Sequence, residues 1–194
     1  MLESGRITYD SNRTNRIHPH KFALWIAMAS IIMMFAAFTS AYIVRQAAGN
    51  WLEFKIPSIF FLSTIVLILS SISLHVSFRA FKNMNATVHR IFLVLAFILG
   101  LGFAILQYQG WMTLFGMGIE LTGNPSGSFL YLISGVHLLH VLGGMAALVV
   151  AIVHAFLLSC TPSPRRVLRF ELVLHYWHFV DALWIYLLVF LILQ

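Results

Sequence analysis

Charge is what this sequence has least of: Asp, Glu, Lys and Arg make up 9% of its 194 residues, while 60% are hydrophobic. Soluble domains carry roughly 25% charged and about 45–50% apolar residues, so a water-soluble fold could not hide this much apolar surface. Cysteine is almost absent too. Cys160 stands alone, which excludes an intrachain disulfide and a cysteine-built metal site and leaves an inert thiol near a helix end. The polar start Met1 to Lys21, with Arg6, Arg13, Arg16 and Lys21, does not read as a signal peptide, because it has no apolar core followed by a cleavage site. The net charge of +6 and pI near 9.9 do not point to nucleic acid, since the basic residues sit between apolar runs rather than on one folded face. No internal repeat is evident.

What is present is five apolar runs, about 22–44, 57–78, 91–112, 129–158 and 172–193. Each reaches the roughly 20 residues that a helix needs to cross a bilayer core. The connections are short and rich in Gly, Pro, Asn and Ser, as in Ala48-Gly49-Asn50 and Thr122-Gly123-Asn124-Pro125-Ser126-Gly127. The expected fold is therefore all-α: residues 1–21 form a polar cytoplasmic segment, and residues 22–194 a single bundle of five transmembrane helices. Lys and Arg set the orientation. With the N-terminus inside, four fall on the N-terminal segment, three on the second connection (Arg79, Lys82, Arg90) and three on the fourth (Arg165, Arg166, Arg169), leaving Arg45 and Lys55 outside. The third connection has no basic residue and carries Glu120. The reading is N-terminus in, C-terminus out.

Nine histidines raise the question of haem or metal. His140 and His154 lie on one run at a spacing that could serve two stacked haems, but no partner run repeats it, so a bis-histidine haem b subunit is only an alternative. His137 and His140 share a helix face, yet a metal site wants three or four convergent ligands, and no Cys, Asp or Glu lies nearby on that helix. They read as hydrogen-bonding between helices. His18, His20, His75 and His89 read as interfacial. The fifth run carries Glu171, His175, His178 and Asp181 at spacings of four, three and three, which stacks them along one side of a helix. Ionisable groups at membrane depth face protein or water, so this side is expected to point into a protein interior. It stops at Asp181 and gives way to Ile185, Leu188 and Ile192, so it does not form a proton path across the bilayer by itself. Gly143, Ala147 and Ala151 recur at intervals of four, a small-residue pattern for close helix packing. Trp25, Trp51, Trp111, Trp177 and Trp184, mostly near run ends, read as an interfacial belt.

Depth counting at 1.5 Å per residue adds two expectations. Gln107, His140 and Thr39, at about 24, 27 and 25 Å from the inner helix ends, stand at one level, so the third, fourth and first helices should share hydrogen bonds there. Asp181, about 14 Å up, stands level with Ser30, Ser70 and Ser71 at about 11–12 Å, and too far below His137 and His140 for contact. An unpaired buried carboxylate costs several kilocalories per mole, so Asp181 should accept hydrogen bonds or be protonated, joining helices or subunits.

Two stretches resemble a known family. Ser134-Gly135-Val136-His137-Leu138-Leu139-His140-Val141-Leu142-Gly143-Gly144 is similar to the TGxHxxHVxxG element, and Glu171 with His175-Tyr176-Trp177-His178-Phe179-Val180-Asp181-Ala182-Leu183-Trp184 to the E…YWHFVDxxW element, of subunit III of the haem-copper respiratory oxidases. Leu101-Gly102, Phe103, Gln107 and Trp111 on the third run, and Ser70-Ser71 on the second, also match, so the resemblance runs from about His20 to the C-terminus. It implies a non-redox supporting subunit of a proton-pumping terminal oxidase in the bacterial cytoplasmic (inner) membrane. The chain would have no catalytic, cofactor-binding or metal-ligating residues of its own. Haems and copper are expected in the partners, oxidase subunit I above all and also subunit II, and phospholipid is expected to bind. The interhelical polar residues would be Gln107, His137, His140, Glu171, His175, His178, Asp181 and Trp184. The chain departs from the family in two ways. Larger members have seven helices, and this one starts at the equivalent of their third. Where ASExMFF places a buried glutamate, Ala29-Ser30-Ile31-Ile32-Met33-Met34-Phe35 has isoleucine. A small transporter or a membrane assembly factor is the competing class, although transporters advertise broken helices or repeats and neither is evident.

Overall fold

The computed structural model describes residues 18–194 apart from 53 and 159; Arg6, Arg13 and Arg16 of the polar segment lie outside the described residues. These form five helices: α1 (Pro19–Ala47), α2 (Ile59–Lys82), α3 (Ala86–Gly116), α4 (Pro125–Leu157) and α5 (Pro164–Leu193). All five are long and apolar enough to cross a membrane, and no strand occurs among the described residues. The chain is an all-α, multi-pass membrane protein.

Every helix is longer than its apolar run, and α5 begins at Pro164, eight residues before the expected start. An apolar run measures the hydrocarbon thickness, whereas helix ends are set by caps. Asn124 and Ser163 place side-chain oxygens on the first free N–H groups of α4 and α5, and each is followed by a proline at the first helical position. The α2–α3 turn is fixed by the C-terminal cap of α2. Met84 stands at φ 56°, its N–H donating to Phe81 and that of Asn85 to Ala80, and Asn85 then caps α3 by accepting from Val88 N.

α2 and α3 form the most intimate pair, α4 packs on α3, and α5 closes the group by packing on both α2 and α4. α1 lies outside this four-helix core, against α4 and α5, and buries only Phe35, Thr39 and Tyr42. Serines explain the α2–α3 approach. Ser70 Oγ donates to the Ala96 carbonyl at 2.7 Å, and Ser77 Oγ contacts both the Nδ1 and the carbonyl of His89 at 2.9 Å. His89, expected at an interface, is instead buried. The Lys21–Glu171 ion pair, 3.0 Å, ties α1 to α5 at the basic end of the bundle. At the far end, Gln46 Nε2 donates to the Gln194 carbonyl.

Candidate functional site

The centre of the bundle is a sealed seam of aromatic and polar side chains. Trp177 and Trp184, seven apart on α5, point inward and are 2% and 0% exposed; they are core, not the interfacial belt expected of them. Trp177 is held between two glycines. A Cβ on Gly100 of α3 would lie 3.1 Å from Trp177 Cη2, and one on Gly144 of α4 would lie 3.0 Å from Trp177 Cε3. Trp184 stacks on His137 at 5.0 Å and 29°, meets Phe103 edge-on at 5.5 Å, and donates its indole N–H to Thr64 Oγ1 on α2 at 2.9 Å.

His137 is fully buried and neither ring nitrogen has a hydrogen-bond partner. Its surroundings are Trp184, Phe103 at 6.1 Å and Phe35 at 6.4 Å. The expected interhelical hydrogen bond is thus replaced by ring contacts, because the helices present aromatics, not acceptors, at its level. His140 donates Nδ1–H to the Val136 carbonyl of its own helix, 2.8 Å, and its own carbonyl accepts from Tyr176 OH on α5, 3.0 Å. Because His137 makes no hydrogen bond, removing its polarity removes an uncompensated burial cost. His137→Phe is therefore expected to leave thermal stability in detergent unchanged or slightly higher; a loss of more than about 2 kcal/mol, the scale of an unsatisfied group, would show that the imidazole has a partner.

Gln107, His140 and Thr39 do not pair with one another. Gln107 Nε2 donates to Ser63 on α2, 3.4 Å, with its carbonyl oxygen unpartnered, and Thr39 meets Tyr186 OH on α5, 3.4 Å. Equal depth is not enough: α1 is not packed on α3, and His140, although α4 neighbours both, spends its Nδ1–H within its own helix. The stripe on α5 splits for a related reason. Its spacings sum to ten residues, which at 100° each fall about 80° short of three full turns, so the row slants round the helix. His175 is exposed, with Nδ1–H on the Glu171 carbonyl. His178 is half-buried and bonds to Ser71, and Asp181 is buried with Oδ1 unpartnered. Of the three serines level with Asp181, Ser71 is the one beside it; Ser30 turns to Ile26 and Ser70 to Ala96. Close packing on α4 falls one residue away from the expected row. Gly143 is exposed, Ala147 and Ala151 line a groove, and the tight contact is at Gly144.

Among the described residues, no group of three or more His, Cys, Asp or Glu is gathered as metal ligands would be. The sequence reading missed Gly100, Ser63, Thr64 and Ser77. A signal existed: Ser63, Ser70, Ser77 and Thr64, Ser71 recur at intervals of seven on α2, marking one polar, closely packed side. The geometry places Trp177, Trp184 and His137 in a closely packed core among the described residues. Residues 18–193 match the family model described as cytochrome c oxidase subunit III. The chain belongs to that family. Curated relatives agree along the length: the probable cytochrome c oxidase subunit 3 of Mycobacterium tuberculosis is 30% identical over 189 residues, covering 92% of this chain and 90% of the relative. The cytochrome bo(3) ubiquinol oxidase subunit 3 of Buchnera aphidicola is 29% identical over 190 residues, covering 95% of this chain and 97% of the relative. In family terms, the two elements shared with subunit III, around His137 and from Glu171 to Trp184, are the ones that meet in the seam.

Proposed function

We propose that this chain is the non-redox subunit III of a proton-pumping haem-copper terminal oxidase, supporting the subunit that reduces dioxygen without holding haem or copper itself. The family match over residues 18–193 carries the reading. Cytochrome c and ubiquinol oxidase subunits both occur among its relatives, so the reading is of subunit III as such and not of one electron donor. Subunit I is its main partner, with subunit II and other respiratory subunits alongside. Its place is the bacterial cytoplasmic membrane with the N-terminus inside, which the distribution of Lys and Arg supports.

Bound phospholipid belongs to the same reading. A cavity of about 360 Å³ at the basic end is lined by Ala147, Ala151, His154, Phe170, Arg166 and Arg169, among others. Arg165, Arg166 and Arg169 stand in the first two turns of α5, where the helix dipole disfavours cations. An anionic head group beside them offsets that cost, and the apolar walls suit acyl chains. In mass spectrometry of the intact complex, Arg169→Gln is expected to reduce retained phospholipid; unchanged retention would argue against this groove as the site.

The reading is tested by purification in mild detergent, where the chain is expected to co-purify with a haem-containing subunit. A colourless preparation of this chain alone would contradict it. Asp181 gives a finer test. As a helix-joining group beside Ser71, its replacement by Leu is expected to cut retention of the subunit severalfold, whereas Asp181→Asn, which keeps hydrogen-bonding capacity, preserves retention and turnover. Loss of proton pumping in a fully assembled Asn variant would replace the structural role with a proton pathway.

A further inference from the structure

α5 buries a larger share of its span than any other described helix and leaves one side open. α1 flanks that side through the Lys21–Glu171 ion pair at 3.0 Å and the Thr39–Tyr186 contact at 3.4 Å. α2 flanks it through the Ser71–His178 hydrogen bond and the His75–His178 ring contact at 5.8 Å. Between the flanks, His175, His178, Ala182, Ile185 and Val189 follow one another at spacings of three and four, which places them on a single face. His175 and Ala182 are exposed and His178 is half-buried; Ile185 and Val189 are 39% and 49% exposed.

The depth of the imidazoles sets this face apart. Glu171, paired with Lys21, marks a charged level at the basic end, and at 1.5 Å per residue His175 and His178 lie about 6 and about 10 Å further along the helix. On α3 the exposed side chains through the middle of the span are Leu95, Ile98, Leu101 and Ile105, and on α4 they include Leu142, Val149 and Val150, all of which a lipid chain covers without loss; the exposed imidazole of α4, His154, stands in its last turn. A lipid chain offers an imidazole no hydrogen bond, and ionisable side chains within spans turn to protein or water. The α5 face therefore has a different neighbour from the α3 and α4 faces.

We infer that the α5 face between α1 and α2 is where this subunit docks against a transmembrane helix of the oxidase core. That helix carries hydrogen-bonding side chains opposite His175 and His178 and apolar ones opposite Ile185 and Val189. Ala182, at the centre, is small enough for two backbones to approach closely. The inference rests on the subunit III reading and adds to it which side of the chain the partner covers.

A benzophenone amino acid placed at Ala182, and separately at Ile98 on α3, tests this by photocrosslinking in the full complex. The Ala182 probe is expected to give a product with the mass of this chain plus an oxidase subunit, and the Ile98 probe to give lipid adducts. If a bulky probe at Ala182 prevents assembly, the probe at Ile185 reads the same face. The paired change His175→Leu and His178→Leu is expected to lower recovery of the chain with the complex severalfold, and His175→Gln with His178→Gln to restore most of it. Lipid adducts alone from the α5 probes in an intact complex would overturn the docking face and leave the subunit III reading standing. Particles without any other oxidase subunit would overturn that reading, and the inference with it.

Discussion

Trp184→Ala is expected to destabilise the folded domain by about 3 kcal/mol, the low end of the range for deleting a buried aromatic. The low end applies because lipid tails are as apolar as the core, so in a membrane the loss is one of packing rather than of transfer from water. The packing at stake is large: Trp184 is fully buried, stacks on His137, meets Phe103 edge-on and bonds to Thr64. Its removal takes contacts from α2, α3 and α4 at once. Trp184→Phe keeps most of the volume and loses the indole N–H, a difference of about 1 kcal/mol, since the Thr64 hydroxyl still donates to the Phe60 carbonyl. Unfolding in mixed detergent should rank the two variants clearly. Equal losses would mean that the hydrogen bond, and not the ring packing, holds this level.

Gly144→Leu is the second large effect. A Cβ at Gly144 would already stand 3.0–3.1 Å from the rings of Trp177 and Tyr176, which is tighter than ordinary van der Waals contact, and the rest of a leucine has no room. α4 and α5 would have to separate, and forcing such a shift costs about 1–3 kcal/mol or more. On its other edge Trp177 faces Gly100, where even a Cβ would stand only 3.1 Å from Cη2, so the space to retreat is small. Gly143→Leu is the control. Gly143 is exposed, and a Cβ there meets only the Tyr176 hydroxyl at 3.8 Å. The expected result is that Gly144→Leu fails to accumulate as a folded protein while Gly143→Leu does; the reverse order would place the close contact on the other side of α4.

That pair of glycines shows where the sequence was legible and where it was not. Hydropathy gave five helices because bilayer thickness imposes a length on each apolar run. It could not give their true ends, since caps such as Asn124 and Ser163 extend α4 and α5 beyond the apolar part. The interval of four from Gly143 through Ala147 to Ala151 was visible, but a periodic row does not say which side of the helix meets a neighbour. Gly144 lies only 100° away, and that rotation decides whether a small residue packs or lines a groove. The same limit applied to Glu171, His175, His178 and Asp181, whose slant sends the first outward and the last inward. Depth matched Asp181 to Ser71 because α2 and α5 are neighbours, and failed for Gln107, His140 and Thr39 because α1 is not packed on α3 and His140 bonds within α4. The resemblance of two short elements identified the family. Only the fold brought the residues of those elements together, with His137 on Trp184 and Gly144 on Trp177.

As subunit III, the chain is proposed to support an oxidase and to leave the redox chemistry to its partners. The most direct measurement is the reduced-minus-oxidised visible spectrum of the complex with and without this chain, recorded alongside oxygen consumption through prolonged turnover. The complex lacking the chain is expected to keep its haem absorbance and initial oxygen reduction but to inactivate sooner. Loss of haem absorbance on removal of this chain, or a stoichiometric bis-histidine Soret band from the chain alone after reconstitution with haem, would contradict it.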